Sequence, residues 1–286
     1  MNGKIIGIVS NQYSLLTENG EHVLAISMGK VRLGDKPLVG DQVDYDLLKG
    51  RYCIQKILPR KNRLVRPAIA NVDQAMIVMS AVDPDFSSVL VDKLVFLISY
   101  EDIEPVIVIT KMDLVDETHE VHKYIEDYRK SGYKVILSGH DLTIEDIRDA
   151  LKDKITVLTG QSGAGKSTLL NKLDPELALA TQEISKALGR GKHTTRHTQL
   201  YEVGGGWIAD TPGFSSLDFS RIDGYTLALS IHDFKEAGDC RFKDCKHLKE
   251  PGCRIKEGVE EGRISSIRYQ HYVEVIPFCN KRKEWE

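Results

Sequence analysis

The sequence predicts a multidomain α/β protein: a small all-β region, then a mostly parallel sheet with helices on both faces, then a helical region around a cysteine–histidine cluster. Three observations predict it. Short β-like runs broken by turn residues fill the first part of the chain. From about residue 71, apolar strands alternate with helix-like stretches. After about residue 220 the pattern changes again, and cysteines crowd together.

In the first region the runs are "KIIGIVS", "YSLLT", "HVLAIS", "DQVDYDL" and "YCIQKIL", divided by "NG", "GDKP" and "KG". Runs of this length bounded by turn residues suit a small antiparallel barrel or a sandwich. The basic "LPRKNRLVRP" comes next as a connector. In the second region the strands "QAMIVMSAV", "EPVIVIT", "KVILS" and "KITVLTG" alternate with "SVLVDKLVFLISYE" and "VHKYIEDYRKSG". Such alternation argues for a parallel sheet covered by helices. The third region ends in a predicted helix, "RISSIRYQHYVEVI". The expected boundaries are 1–68, 69–222 and 223–286.

Composition sets limits on function. The apolar share, 41%, is enough for a packed core. No apolar run approaches the ~18 residues that span a bilayer, and the start has neither a continuous apolar segment nor a cleavage signal. A cytoplasmic protein is expected, with no membrane partner. The net charge of -3 carries no global sign of nucleic-acid binding, but basic clusters stand at "RKNRLVR", "GRGKHTTRH" and "KRK". The five cysteines, an odd number in such a chain, argue against a disulfide framework.

"GQSGAGKS", Gly160 through Ser167, fits G-x-x-x-x-G-K-[ST] between a strand and a helix, "KSTLLNKL". There the glycines let backbone N–H groups turn toward a phosphate, helped by the helix N-terminus. Lys166 would meet the β- and γ-phosphates, and Ser167 would hold Mg²⁺. Further on, "DTPG" comes after the apolar "WIA". The Asp210 carboxylate would serve the magnesium shell, and the Gly213 N–H would approach the γ-phosphate. In "KHTTRH" one threonine should reach Mg²⁺ and the γ-phosphate: Thr195, with Thr194 as the alternative.

"VIVITKMDL" contains a sequence that would read guanine, yet it precedes the phosphate loop. Order along the chain is no obstacle. Ligand loops of an open α/β sheet all emerge at the carboxyl ends of strands. Where termini lie close, a chain can be joined there and opened elsewhere. Asp113 would accept two hydrogen bonds from guanine N1–H and N2–H₂, a pair that adenine does not offer. The Lys111 stem would cover the base, and "ILSGH" would bring Ser138 and Gly139 behind it. The candidate GTP-binding residues are thus Thr110, Lys111, Met112, Asp113, Ser138 and Gly139, with Gly160, Gln161, Ser162, Gly163, Ala164, Gly165, Lys166, Ser167 and Thr168.

The cysteine spacing is Cys240-x₄-Cys245-x-His247-x₅-Cys253. Three thiolates and an imidazole make a closed tetrahedral set, which suits one structural Zn²⁺ with no open position for chemistry. Cys53 and Cys279 lack such neighbours and are expected to pack in cores.

The order of these motifs resembles that of the circularly permuted GTPases. "GQSGAGKS", "GRGKHTTRH", "DTPGF" and "TKMD", with the cysteine–histidine cluster behind them, resemble the ribosome small-subunit-dependent GTPases of the RsgA family over nearly the whole chain. The resemblance implies an OB-fold at the N-terminus, a zinc domain at the C-terminus, and the small (30S) ribosomal subunit with its 16S rRNA as partner during maturation. A monomer is expected. One departure stands out. Asn usually opens the base motif and braces its loop; Thr110 can make fewer bonds, so modest guanine affinity is expected. Many GTPases carry a water-positioning Gln after "DTPG", where this chain has Phe214. His193 is the nearest replacement by sequence, and hydrolysis is expected to be slow until a partner helps.

Readings from other classes are a transporter-type ATPase, a nucleic-acid scaffold that only holds GTP, and a GTP-using kinase. The first should carry an L-S-G-G-Q segment, which is absent. Multiple-turnover hydrolysis would separate the second, and no acceptor site points to the third.

Overall fold

The computed structural model describes residues 1–28, 35–64, 67–139, 143–174, 199–209, 214 and 217–281. Strands β1 (Asn2–Val9), β2 (Gln12–Thr17), β3 (His22–Ser27), β4 (Gln42–Leu48) and β5 (Arg51–Ile57) close into a barrel in the order β1-β2-β3-β5-β4. Only β3 and β5 run parallel; the other pairs are antiparallel. Alternation drives closure. Ile5, Tyr13, Leu15, Ala25, Val43, Tyr45 and Ile54 turn inward and are buried, while closure removes the exposed strand edges. The barrel is OB-like, which settles the choice between barrel and sandwich.

The basic connector is not a free charged strip. Within it β6 (Arg63–Leu64) pairs with β7 (Ile69–Ala70). Arg60 donates from Nε and Nη2 to the two carboxylate oxygens of buried Asp41, at 2.6 and 2.8 Å. Lys61 donates to Asp73 at 2.7 Å. A planar guanidinium facing a carboxylate bidentately is a strong, directional pair. Much of the charge in "RKNR" therefore holds the connector in place.

Strands β8 (Gln74–Ser80), β9 (Glu104–Thr110), β10 (Lys134–Leu137), β11 (Ile155–Gly160), β12 (Leu200–Val203) and β13 (Gly206–Ala209) form a sheet ordered β10-β9-β8-β11-β13-β12. β10 runs parallel to β9 and β11 to β13, while β12 pairs antiparallel with β13 in a hairpin. Every residue of β8 is buried, as a central strand covered on both faces requires. Helices α1 (Ser88–Tyr100), α2 (Val121–Lys130) and α4 (Lys166–Leu173) occupy the predicted intervals, and α3 (Thr143–Leu151) adds a helix not predicted from the sequence. Ser87 caps α1 by accepting from the Leu90 N–H.

The chain divides into two compact units. One comprises Met1–Gln74, Ile144–Leu158 and Lys166–Gly213; the other comprises Ala75–Thr143, Thr159–Gly165 and Phe214–Glu286. The second unit also holds α5 (Gly224–Ser230), α6 (His232–Lys235), α7 (Arg254–Glu260) and α8 (Ser266–Val275). Helix α8 is bound to the others by a buried cation. Arg268 is wholly buried; it donates to Asp233 at 2.6 Å, Ser131 at 2.8 Å, Asp127 at 3.2 Å and Asp92 at 3.3 Å. Its guanidinium lies 4.9 and 4.8 Å from the ring centroids of Tyr128 and Tyr133. Burial alone would lower its pKa, but Asp233 and Asp92 outweigh it and raise it.

Candidate nucleotide site and metal centre

The second unit brings the guanine-reading loop and the phosphate loop together. β9 ends in Thr110, whose buried hydroxyl donates to the Ala164 carbonyl at 2.7 Å and leans toward the Met79 carbonyl at 3.2 Å. Ala164 belongs to the phosphate loop, so this hydroxyl ties one ligand loop to the other. A brace is thus made by the one hydroxyl that Thr110 supplies, and Gly165 lies beside it.

Lys111 turns the chain with a left-handed backbone, φ 59°, and donates from Nζ to the carbonyls of Val82 and Asp83. Its stem is thereby fixed. Asp113 comes next in a single 3-10 turn, exposed. Behind it stands the segment after β10: the Met112 N–H donates to the Ser138 carbonyl at 3.0 Å. A Cβ at Gly139 would lie 2.5 Å from Asp113 Oδ1 and 2.6 Å from the Asp113 nitrogen. Only glycine permits that approach.

The phosphate loop is equally constrained. A Cβ at Gly160 would lie 2.1 Å from the Val78 carbonyl oxygen, and Gly163 and Gly165 hold φ of 79° and 86°. Ala164 is buried, while Ser162, Gly163, Ser167 and Thr168 are exposed along the turn and the first turn of α4. Burial lowers the pKa of Lys166, a cost that an anionic ligand would offset. His193, Thr194, Thr195, Asp210 and Gly213 lie outside the described residues. Phe214 has a left-handed φ of 52°.

The sequence motifs leave out one wall of this site. Residues 81–87, "AVDPDFS", come after β8 and reach both ligand loops. The Val82 and Asp83 carbonyls accept from Lys111, and the Asp85 carbonyl accepts from Gln161 Nε2 at 3.3 Å. Pro84 Cδ lies 3.5 Å from where a Gly163 Cβ would stand. A turn-rich segment at the end of a central strand was the available signal.

Cys240, Cys245, His247 and Cys253 also converge, with ligand atoms all within 4.8 Å of one another. Cys240 Sγ lies 3.9 Å from Cys253 Sγ and 3.5 Å from His247 Nδ1, and His247 Nδ1 lies 3.4 Å from Cys253 Sγ. A tetrahedral zinc with ~2.3 Å bonds to sulfur spaces its sulfurs about 3.8 Å apart, so the donor set fits. Burial pushes the Cys245 thiol up to about 12, raises Cys253 and lowers His247. A dication would convert these thiols to thiolates and take the neutral imidazole as it stands. Tyr269 and Tyr272 hydroxyls hold the His247 and Lys246 carbonyls at 2.7 and 3.1 Å. Glu250 accepts from the Lys246, Leu248 and Lys249 N–H groups. Burial would raise its carboxyl, but its own backbone N–H and those of Leu248, Lys246 and Lys249 win and hold it at about 2. Cys53 and Cys279 are buried away from this group, as expected of packing residues.

A family model described as RsgA GTPase matches residues 57–220. The small ribosomal subunit biogenesis GTPase RsgA of Bacillus pumilus (strain SAFR-032) is 47% identical over 293 residues, covering 98% of each chain. The protein of the same description from Bacillus subtilis (strain 168) is 45% identical over 292 residues, with the same coverage. Among solved structures, YloQ, described as a circularly permuted GTPase, aligns with a TM-score of 0.83 at 39% identity, over 100% of this chain and 96% of its own. YjeQ from Thermotoga maritima aligns with a TM-score of 0.84 at 35% identity, over 99% of each.

Proposed function

The chain belongs to the RsgA GTPase family, and from that premise we propose that it binds the small (30S) ribosomal subunit and its 16S rRNA, acts late in that subunit's maturation, and turns over GTP faster when bound there. The division of labour we assign is a barrel over 1–68 that meets RNA, a GTPase domain over 69–222, and a zinc-bearing domain over 223–286. We assign it to the cytoplasm as a monomer; among the described residues no helix is long and apolar enough to cross a membrane.

One observation carries the guanine-nucleotide reading: the Thr110 hydroxyl bonds the phosphate loop at Ala164 while Gly139 lets Asp113 stand against the segment behind it. Both loops belong to a single site although their order is reversed. Asp113 selects guanine. The N–H groups of 160–165 and the start of α4 receive the phosphates, and Lys166 neutralises the β- and γ-oxygens. Water attacks the γ-phosphorus in line, the bond to the bridging oxygen breaks, and GDP and phosphate leave. Ser167, Asp210 and Thr195 (or Thr194) would hold the Mg²⁺ that accompanies GTP, which supplies charge neutralisation. The Gly213 N–H would meet the γ-phosphate. Phe214 offers no hydrogen bond to the attacking water, so we assign its orientation to His193, aligned by the bound subunit. The Cys240–Cys245–His247–Cys253 set would hold one Zn²⁺ as a structural tie.

With Arg60 and Lys61 engaged by Asp41 and Asp73, rRNA contacts draw on the exposed basic side chains outside those pairs. Phosphate contacts of that kind are salt-sensitive and weakly sequence-dependent. Cosedimentation with purified small subunits at low salt tests the partner. Binding should be stronger with a non-hydrolysable GTP analogue than with GDP. Equal binding in both states, or binding only to free RNA, would sink the ribosomal reading.

A further inference from the structure

The first unit contains a contact that no nucleotide motif predicts. Strand β1 carries a bulge between Ile5 and Gly7, where its register with β2 slips. A bulge bends its strand and re-aims the residues beyond it. Past the bulge, Gly7 forms an antiparallel bridge with Gln199, at the foot of the β12–β13 hairpin. On the near side, Lys4 places Nζ 5.4 Å from the centroid of the Trp207 ring. Burial lowers the Lys4 pKa, countered by Asp73.

Trp207 is not a peripheral ring. It stands directly opposite Ile155 in the parallel pairing of β13 with β11, and its backbone N–H donates to the Lys154 carbonyl at 2.8 Å. Ile155 exchanges two bonds with Asp73: its N–H donates to the carboxylate at 2.6 Å, and its carbonyl accepts from the Asp73 N–H at 2.9 Å. The hairpin lies close against the end of α3: a Cβ at Gly206 would lie 1.8 Å from the Leu151 carbonyl oxygen, an approach that only glycine allows. Strand β11 runs on along the chain into Gly160, and β13 runs on into Asp210. Barrel strand β1 thus contacts the root of the β12–β13 hairpin, whose β13 pairs with β11; in sequence, β11 leads into the phosphate loop and "DTPG" follows β13.

We propose that the Lys4–Trp207 stack, set by the β1 bulge and the Gly7–Gln199 bridge, is the joint through which the nucleotide state and the barrel sense each other. Lys4 and Trp207 are positioning residues, remote from the phosphates. A change of ligand at the γ-phosphate biases the ends of β11 and β13, and the barrel strand moves with them because it is held at their bases. Coupling is reciprocal, so a ligand on the barrel biases nucleotide choice equally. This proposal does not depend on which partner the barrel binds.

The test uses the full chain with Trp285→Phe, so that Trp207 is the remaining tryptophan of two. Trp207 emission and hydrogen exchange of the Gly3–Gly7 amides are compared with Mg²⁺·GDP and with a non-hydrolysable GTP analogue. Both should differ between the states, exchange by roughly fivefold or more, the lower end of typical coupling. Lys4→Met should keep turnover and guanine affinity within about twofold yet lose that difference. Lys4→Arg, which keeps a cation over the ring, should restore it. Identical emission and exchange in both nucleotide states of the parent protein would overturn the proposal. So would full nucleotide dependence in Lys4→Met.

Discussion

Gly139→Ala tests the guanine-reading geometry by adding a single methyl group. The new Cβ would stand 2.5 Å from Asp113 Oδ1, 2.6 Å from the Asp113 nitrogen and 2.9 Å from the Met112 nitrogen. Two of these atoms are backbone, so a rotamer change cannot relieve the overlap; the base loop must retreat by most of an ångström. The position also holds φ of +154°. Overpacking of this kind costs about 1–3 kcal/mol, and an unfavourable backbone region adds a similar amount. If about 2–3 kcal/mol of that falls on the guanine-bound state, GDP and GTP should bind roughly 30- to 140-fold more weakly. The assay is titration with guanosine and inosine nucleotides, the latter lacking the 2-amino group that Asp113 accepts from. The variant should lose discrimination between them while phosphate-dependent binding persists. Guanine affinity within twofold of the parent, with discrimination intact, would refute the placement of Gly139 behind the base loop.

Other changes report on neighbouring parts. Asp113→Asn should weaken GTP and favour xanthosine triphosphate, because the acceptor pattern is reversed; equal binding of ATP and GTP by the parent would contradict the assignment. Lys166→Ala should abolish turnover in a phosphate-release assay, and unchanged turnover would remove the phosphate loop from the mechanism. Arg268→Met leaves Asp92, Asp127 and Asp233 without their shared cation, so urea denaturation should show a loss of about 3–5 kcal/mol. Elemental analysis of protein purified without chelator should find one zinc per chain, and Cys245→Ala should loosen 240–253 and then α8, through Tyr269 and Tyr272.

The features legible in the sequence are those that local chemistry dictates. Glycines mark the phosphate loop because Gly160, Gly163 and Gly165 occupy backbone conformations or approaches that a side chain would block. Alternating apolar residues mark the barrel strands because their partners lie across short turns. The cysteine spacing marks the metal cluster because its ligands come from one stretch of chain. The hidden features depend on distant partners. Nothing near Arg268 in sequence announces Asp92, Asp127 and Asp233, and its segment reads only as a helix. The connector reads as a free basic strip because Asp41 and Asp73 bind it from elsewhere. Thr110 reads as a weakened brace, since composition gives no distance; the hydroxyl reaches Ala164 all the same. The β12–β13 hairpin, with three successive glycines at its turn, carries no motif that marks it, although it makes the contact with β1.

Multiple-turnover GTP hydrolysis with and without purified small subunits, at low salt, tests most directly whether the protein is a guanine-nucleotide hydrolase completed by the small ribosomal subunit. Turnover alone should be slow, because Phe214 stands where a water-positioning glutamine would. Subunits should raise it at least tenfold, about 1.4 kcal/mol from the barrier, and His193→Ala should lose that rise. Turnover unchanged by subunits, or as fast for ATP as for GTP, would contradict that role.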